Sequence, residues 1–235
     1  RVRDEGVSVG VALDGDADRV GIMDEKGNFV STLEVFTLLA LYLLESKGMR
    51  GDLVKGVTAS MMLNKLADKY HVGVHDMSVG FKYIGPKFSE VDALIAGEES
   101  GGFAFRGHIP ERDGILSALY ILEYMTKTSQ SPSQLVEHLF AQVGPHYYQR
   151  RDVTFNPADR AGIQQRLRSA ANLTELAGTP VRGSDEIDGR RLLFDDAWLA
   201  SRFSGTEPLL RIYCEAESQD RVTELLDAAT KYLGV

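Results

Sequence analysis

Residues 53–96 read LVKGVTASMMLNKLADKYHVGVHDMSVGFKYIGPKFSEVDALIA, and short apolar runs in this stretch alternate with helical patterns. The apolar runs are typical of buried strands, whereas the segments between them have the spacing of amphipathic helices. In chain order, the strands and helices are predicted at 53–59, 62–70, 72–75, 81–88 and 93–96. Strands that alternate with helices in this way predict a mostly parallel sheet with flanking helices.

Helical patterns continue on both sides of this stretch. Residues 31–34 read STLE, which fits a capping box, and the apolar helix that they open is predicted to reach about Lys47. Two more helices are predicted over 114–126 and 132–143. Beyond Gly144-Pro145 the order changes to a strand, a helix, short strands, a strand and a final helix. We therefore predict a mixed, mostly parallel α/β sheet followed by a smaller α+β C-terminal domain.

The composition of the 235 residues excludes several classes of protein. A net charge of -8 without a basic run argues against a general nucleic-acid binder. The single cysteine, Cys214, excludes an internal disulfide and predicts a reducing, cytoplasmic compartment. No apolar stretch is long enough to span a membrane, and no signal peptide is visible. The chain opens at Arg1 without a methionine, so we expect a catalytic part of the protein upstream.

Three aspartates alternate directly after an apolar run at the start of the chain. The run Val7–Leu13 predicts a buried strand that leads into Asp14, Asp16 and Asp18. In a tight loop this spacing can turn three carboxylates onto one hard cation. Without compensation the three charges would repel strongly, so a divalent metal, or Arg19 with solvent, must balance them.

The aspartate motif has three interpretations. It can be a solvated turn between strands. It also matches an EF-hand loop in part, with Glu25 at the twelfth position, but Arg19 stands where that loop needs glycine and the flanks are predicted strands. The third interpretation is a magnesium-dependent phosphoryl-transfer site, in which Asp14 is a covalent nucleophile or all three aspartates are metal ligands.

Two further stretches and one lysine are candidates for ligand binding. Gly97–Gly102 follows a predicted strand end, where Glu98 and Glu99 can bind sugar hydroxyls, although a solvated glycine-rich turn explains it equally well. Ser201–Pro208 and the nearby Arg211 combine hydroxyls, a glycine and two arginines, which are the parts of a phosphate cradle. Lys82 is either solvated or a proton donor or phosphate partner.

Taken together, these motifs resemble those of the α-D-phosphohexomutase family, the phosphoglucomutase/phosphomannomutase group. Residues 14–19 are similar to its metal-binding loop, 97–101 to its sugar-specificity loop and 202–208 to its phosphate-binding loop. The family has four domains around a cleft. The resemblance implies that 1–30 is the end of the second domain, 31–143 the sugar-binding third domain and 144–235 the phosphate-binding fourth domain.

The resemblance also implies a reaction that interconverts hexose 1-phosphate and hexose 6-phosphate. A phosphoserine gives its phosphoryl group to the sugar, a bisphosphate reorients, and the serine takes back the other phosphoryl group. Magnesium bridges the aspartates and the phosphoserine. The implied metal ligands are Asp14, Asp16 and Asp18, the implied catalytic residues are Arg19 and Lys82, and the implied substrate-binding residues are Glu98, Ser100, Arg202, Ser204, Gly205, Thr206 and Arg211.

The sequence departs from the family pattern at several positions. The family's serine lies in a Thr-Ala-Ser-His-Asn-Pro type of motif upstream of the metal loop, whereas here Thr58-Ala59-Ser60 lies downstream and Met61 follows it. We therefore expect this chain to lack the phosphoserine, to be inactive alone and to need a missing N-terminal domain as its partner. Gly102 replaces a histidine that is common in one subgroup, which favours glucose phosphate over mannose phosphate. Ala17 replaces the usual glycine.

Two other functions remain open at this point. A haloacid-dehalogenase-type phosphatase or mutase would use Asp14 as nucleophile and Asp195-Asp196 as its acidic pair, although that motif prefers threonine or valine where Asp18 stands. A calcium- or sugar-phosphate-binding module without catalysis would use the same loops for binding only.

Overall fold

The computed structural model describes residues 1–205 and 207–235. It contains two units, Arg1–Gly144 and Pro145–Val235, and residues 1–30 lie in the first of them. Among the described residues, none of the helices combines the length and the apolarity needed to span a bilayer.

The first unit begins with a three-stranded antiparallel sheet in the order β1-β2-β3. Its elements are α1 (Val2–Glu5), β1 (Gly10–Leu13), β2 (Val20–Met23) and β3 (Phe29–Val30). The predicted buried strand over Val7–Leu13 is wrong, because the strand begins at Gly10 and the side chains of Val11 and Leu13 are each 43% exposed. None of the four residues of β1 is buried, so neither face of this strand is covered within the described residues.

A helix that is apolar on all sides forms the centre of the first unit. Helix α2 (Thr32–Leu41) continues into a π-helical turn over Tyr42–Ser46, and every residue from Val35 to Leu44 is buried. The predicted capping box is present, since Ser31 Oγ accepts the Glu34 N–H while the Glu34 carboxylate accepts the Ser31 N–H. A helix that is apolar all round belongs inside a core, and α2 contacts β2 and the helices α3 (Met62–Tyr70), α5 (Gly114–Thr128) and α6 (Pro132–Val143).

The alternating stretch forms a four-stranded sheet in the order β5-β4-β6-β7. Its other elements are β4 (Leu53–Gly56), β5 (Val74–Met77), α4 (Phe81–Glu90), β6 (Ile95–Gly97) and β7 (Phe103–Phe105). Strand β4 pairs in parallel with β5 and β6, which confirms the mostly parallel sheet. Strand β7 was not predicted, because it has three residues and pairs antiparallel with β6 through a glycine-rich turn.

The second unit is a five-stranded antiparallel sheet in the order β11-β12-β13-β14-β8. Its elements are β8 (Tyr147–Thr154), a 3₁₀ turn (Pro157–Asp159), α7 (Arg160–Ser169), a 3₁₀ turn (Ala170–Asn172), β9 (Glu175–Leu176), β10 (Thr179–Pro180), β11 (Gly183–Asp185), β12 (Arg190–Leu193), β13 (Ala197–Phe203), β14 (Leu209–Ala216) and α8 (Gln219–Leu233). Apolar side chains of both helices, such as Ile163 and Leu225, and of the sheet, such as Ile212, form one core. This confirms the smaller α+β domain, while the short strands β9 to β11 were not predicted.

Candidate functional site

The three aspartates lie in the turn between β1 and β2. One carboxylate oxygen from each of Asp14, Asp16 and Asp18 lies within 4.8 Å of the others. Ala17 has a left-handed backbone with φ 59°, and its N–H donates to the Asp14 carbonyl at 3.2 Å. A left-handed residue tightens the turn at a cost in backbone energy for a residue with a Cβ. The turn therefore gathers the carboxylates on one side.

Two arginines balance this negative charge. Arg19 Nε lies 3.6 Å from Asp14 Oδ2 and 3.5 Å from Asp18 Oδ1. Arg112 Nη2 lies only 2.6 Å from Asp18 Oδ2. Burial raises the pKa of Asp18, and the neighbouring Arg112 opposes that shift. Among the described residues, the buried Oδ1 of Asp18 has no hydrogen-bond partner.

The donor set of this loop fits a hard divalent cation. All three candidate ligands offer carboxylate oxygens, which Mg²⁺ and Ca²⁺ prefer. The buried Asp18 oxygen without a hydrogen-bond partner is the kind of atom that a cation would satisfy. The EF-hand interpretation fails, because strands flank the loop and because Glu25 instead accepts hydrogen bonds from Ser133 at the start of α6.

The predicted sugar loop is the hairpin turn between β6 and β7. Two hydrogen bonds close it: the Glu98 N–H donates to the Gly102 carbonyl and the Gly101 N–H to the Glu98 carbonyl, both at 3.1 Å. Glu98 is 7% exposed, and its Oε1 accepts the Gly80 N–H at 3.0 Å. Burial raises the pKa of this carboxyl, and the positive charge of Arg112 offsets part of that increase. Ser100 is exposed at the tip.

The metal loop and the sugar loop are neighbours in the first unit. The Val20 N–H, at the end of the aspartate turn, donates to the Gly101 carbonyl at 3.0 Å. The Gly114 N–H, at the start of α5, donates to the Ala17 carbonyl at 2.9 Å. A Cβ on Gly114 would lie 2.6 Å from the Arg19 carbonyl oxygen, so only glycine permits this close approach.

Arg112 connects the two loops and was not among the residues predicted from the sequence. Its Nη2 reaches Asp18, and its Nη1 lies 3.2 Å from Glu98 Oε2. The next residue, Asp113, is the N-cap of α5, and its N–H donates to the Phe103 carbonyl at 2.9 Å. The signal in the sequence was weak: a group of charges, ERD, before a helix start.

Lys82 lies in the first turn of α4 and is exposed. Its Nζ lies 4.9 Å from the centre of the Tyr83 ring. With Phe81, Glu111 and Arg112, Lys82 lines an open cleft of about 670 Å³. Arg112 thus contacts Glu98 of the sugar loop and also lines the cleft that Lys82 borders.

The two arginines of the predicted phosphate site lie side by side on neighbouring strands of the sheet in the second unit. Arg202 on β13 is the register partner of Arg211 on β14, and Arg211 is the register partner of Asp152 on β8. Arg202 Nε lies 3.0 Å from Asp188 Oδ2, and Arg211 Nε lies 3.9 Å from Asp152 Oδ2. Within the described part of the chain, both are ion pairs in which the Nε–H does not form a hydrogen bond. Although burial disfavours the Arg202 charge, the nearby Asp188 raises its pKa.

Asp188 was not predicted, and a glycine brings it to the site. Gly189 has φ +77°, and a Cβ there would lie 2.3 Å from the Ser201 carbonyl oxygen. It would also lie 2.8 Å from the Arg202 Cβ. The turn between β11 and β12 therefore lies directly on the strand that carries Arg202, which is how Asp188 reaches it.

The remaining residues of the predicted phosphate loop follow β13. Ser204 is buried, and its N–H donates to the Leu209 carbonyl at 2.8 Å. Gly205 is exposed, and a Cβ added to it would have no described heavy atom within 4 Å. The predicted substrate-binding Thr206 lies outside the described residues.

Two other sequence candidates have local structural roles. Ser60 is buried, and its Oγ accepts the Met62 N–H at 2.9 Å at the start of α3. Asp195 accepts a bidentate pair from Arg182 at 2.7 to 3.0 Å. Its neighbour Asp196 lies 3.4 Å from Arg221 Nε. Each residue of the acidic pair is therefore engaged by an arginine of its own unit.

Comparison with known proteins identifies both units. Residues 33–143 match the family model for "Phosphoglucomutase/phosphomannomutase, alpha/beta/alpha domain III", and residues 158–231 match that for the "C-terminal domain" of the same group. A phosphoglucomutase/phosphomannomutase of Thermococcus kodakarensis is 34% identical over 228 residues, which are 97% of this chain and 47% of that protein. A probable phosphoglucosamine mutase of Methanopyrus kandleri is 31% identical over 231 residues, with 96% and 48% covered.

Among solved structures, a putative phosphomannomutase from Thermus thermophilus superimposes with a TM-score of 0.82 at 36% identity. The match covers 100% of this chain and 48% of that one. The chain thus spans about half the length of the curated relatives that it matches.

Proposed function

The chain belongs to the α-D-phosphohexomutase family, the phosphoglucomutase/phosphomannomutase group, and on that premise we propose that its protein interconverts hexose 1-phosphate and hexose 6-phosphate. In this proposal residues 1–30 end the second domain, 31–143 are the third domain and 144–235 are the fourth. The chain supplies the metal, sugar and phosphate sites. The phosphoserine comes from a part of the protein outside these residues, because the chain contains no Thr-Ala-Ser-His-Asn-Pro type of motif.

One observation carries the proposal: the aspartate cluster and the sugar loop share a border. The Val20 N–H donates to the Gly101 carbonyl at 3.0 Å, so the carboxylates of one loop lie beside the turn that holds Glu98. A phosphohexomutase needs a cation at the phosphoryl group and hydrogen-bonding groups at the sugar within one substrate length. A solvated turn has no need of either neighbour.

The residues of the chain would divide the work as follows. Glu98 and Ser100 bind sugar hydroxyls, for which Glu98 is oriented by the Gly80 N–H and by Arg112. Arg202, Ser204, Gly205, Thr206 and Arg211 bind the phosphate that is not transferred. Arg19, beside Asp14 and Asp18, holds the transferred phosphate in position. Lys82, at the edge of an open cleft, contacts the substrate and exchanges a proton with the reacting hydroxyl.

Asp14, Asp16 and Asp18 would hold a divalent cation, which we propose is Mg²⁺. When bound, it supplies positive charge that stabilises the charge of the phosphoryl group during transfer. Arg19 and Arg112 balance part of the negative charge of these aspartates.

The phosphatase alternative with Asp14 as nucleophile has less support. Its acidic pair, Asp195-Asp196, is engaged by Arg182 and Arg221. Both matched family models belong to the mutase group. The sugar preference stays part of the proposal: Gly102 favours glucose phosphate, and the names of the relatives include glucose, mannose and glucosamine enzymes.

The proposal is tested by titrating the chain with glucose 6-phosphate and following its backbone amides by NMR. We expect saturable shifts at residues 202–211, no shifts with glucose alone, and binding about tenfold weaker in Arg202→Gln, the scale of a lost charge-assisted hydrogen bond. Arg182→Gln is the matched control, because it removes the same charge from an exposed pair in the same unit. Absence of binding, or equal effects of both variants, would overturn the phosphate-site assignment.

A further inference from the structure

The guanidinium of Arg112 is shared between two loops that the proposed function treats as separate sites. Nη2 lies 2.6 Å from Asp18 Oδ2, and Nη1 lies 3.2 Å from Glu98 Oε2. The two carboxylates are largely buried, with side chains 16% and 10% exposed. A planar guanidinium can hold two carboxylates in fixed directions, which a lysine ammonium does not do.

The structure fixes Arg112 from several sides. Its guanidinium lies 5.4 Å from the centre of the Phe81 ring, and its Nε lies 3.4 Å from Glu111 Oε1. The backbone is held through its neighbour Asp113, the N-cap of α5, whose N–H donates to the Phe103 carbonyl. These contacts hold the side chain of Arg112 between the metal loop and the sugar loop.

Gly102 makes the position of Arg112 possible. A Cβ at Gly102 would lie 2.4 Å from the Arg112 Cδ and 3.1 Å from its Cγ. A side chain at position 102 and Arg112 in its present place therefore exclude each other. The glycine at this position is thus part of the arrangement that brings Arg112 across the turn to Glu98.

We propose that Arg112 is a positioning residue that ties the metal loop to the sugar loop and competes with a divalent cation for Asp18. The proposal rests on the proposed function for the use of the two loops, but not for the contact itself. A cation that binds Asp18 must share or displace the guanidinium, and either event changes what orients Glu98. Metal occupancy and the geometry of the sugar loop thereby become linked.

The first test is the affinity of the chain for Mn²⁺, followed by the electron paramagnetic resonance signal of the free ion. We expect Arg112→Gln to bind Mn²⁺ at least about threefold more tightly, because removing a cation beside Asp18 lowers the repulsion on the metal. Lys127→Gln is the matched control. It removes the same charge from an exposed position near the other end of α5, about 20 Å along the helix from Gly114.

The second test is amide hydrogen exchange in residues 98–102, which does not depend on metal or activity. We expect faster exchange in Arg112→Gln and in Gly102→Ala, because both release Glu98 from the guanidinium. The double variant should exchange no faster than either single one, since both remove the same contact. Arg112→Lys keeps the positive charge but does not hold two carboxylates in fixed directions. This variant should therefore have nearly the Mn²⁺ affinity of the wild type, whereas amide exchange in residues 98–102 should remain faster than in the wild type.

The outcomes separate this proposal from the proposed function. Equal Mn²⁺ affinities of Arg112→Gln and Lys127→Gln, with unchanged exchange in residues 98–102, would overturn it. If the wild-type chain bound no Mn²⁺, the metal assignment of the proposed function would fail, and the exchange experiment alone would decide on the Arg112 bridge. Additive effects of Gly102→Ala and Arg112→Gln would likewise count against the shared contact.

Discussion

The two units hold candidate sites of opposite charge, and each site contains its own counter-ions. In the first unit three carboxylates gather in one turn, and Arg19 and Arg112 lie against them. In the second unit Arg202 and Arg211 face each other across two strands, with a carboxylate beside each. One chemical change, arginine to glutamine, should therefore raise ligand affinity at the proposed cation site and lower it at the proposed anion site.

A second difference lies in what each site's glycine packs against. Gly102 leaves room for a side chain, that of Arg112, whereas Gly189 leaves room for backbone, the Ser201 carbonyl. A side chain can move aside at a lower cost than a strand in the middle of a sheet. The first site is therefore adjustable, while the second is fixed by its fold.

The largest effect is expected from removing the carboxylates that define the cation site. Asp16→Asn combined with Asp18→Asn should weaken Mn²⁺ binding by about 100-fold or more, because neutral amides replace two of the three proposed carboxylate ligands. Asp4→Asn combined with Glu5→Gln is the matched control, since it removes the same charge from exposed residues of α1. Calorimetric titration measures both. If the two double variants lost affinity equally, the loop would act only through general charge.

The next largest effect sharpens the contrast between the glycines. Gly189→Ala should lower the free energy of unfolding of the second unit by about 2–3 kcal/mol, because φ is positive and the Cβ meets backbone. Gly102→Ala should cost the first unit less, about 1 kcal/mol, because the side chain of Arg112 can move although Glu98 then loses its guanidinium partner.

Urea unfolding followed at each unit measures these values. Gly183→Ala, whose Cβ would have an ordinary contact at 3.8 Å, is the control for the β11–β12 hairpin. Similar costs for Gly102→Ala and Gly189→Ala would remove the distinction between an adjustable and a fixed site.

A smaller effect is expected at the second arginine of the anion site. Arg211 is 29% exposed against 16% for Arg202, and its carboxylate partner is farther away. Arg211→Gln should therefore weaken glucose 6-phosphate binding by only about threefold, because solvent screens the more exposed charge. The same NMR titration measures it. A larger loss from Arg211→Gln than from Arg202→Gln would reverse the assigned order of the two residues.

The smallest effect is a pH dependence of the first unit. Burial raises the pKa of Glu98 in the folded state, so its contribution to stability is complete below its unfolded pKa and declines as pH rises through the folded value. The unfolding free energy of Glu98→Gln minus that of wild type should therefore increase as pH rises above about 4.3, the usual pKa of a glutamate. Urea unfolding at several pH values measures this difference in unfolding free energy. A difference that stays constant or decreases with pH would contradict a raised pKa of the buried Glu98 carboxyl.

Much of the fold followed from patterns that are local in sequence. The alternation of apolar runs and helical spacing over 53–96 gave the parallel strands, and the Ser31–Glu34 box gave the start of α2. The exposure of β1 could not be predicted from Val7–Leu13, because an apolar run does not tell what packs over the two faces of its strand. Strand β7 was missed because three residues are too few to display a period.

The candidate site residues likewise fall into those that a local motif predicts and those that it does not. The three aspartates and the predicted phosphate loop at 201–208 are visible as motifs in the sequence. Arg112 and Asp188, in contrast, contact residues that are distant from them in sequence. Their partners are set by sheet register and by glycines that allow close approach, which no single-sequence pattern reports. Thr206 lies outside the described residues, so its role stays a prediction.

The proposed phosphohexomutase activity is tested by ³¹P NMR of the full-length protein with glucose 1-phosphate and Mg²⁺. Mannose 1-phosphate and glucosamine 1-phosphate in parallel samples establish the sugar preference. We predict that the 1-phosphate signal is replaced by that of the 6-phosphate without release of inorganic phosphate. Release of inorganic phosphate would point to the phosphatase alternative, and an unchanged spectrum with all three sugars would contradict the mutase assignment.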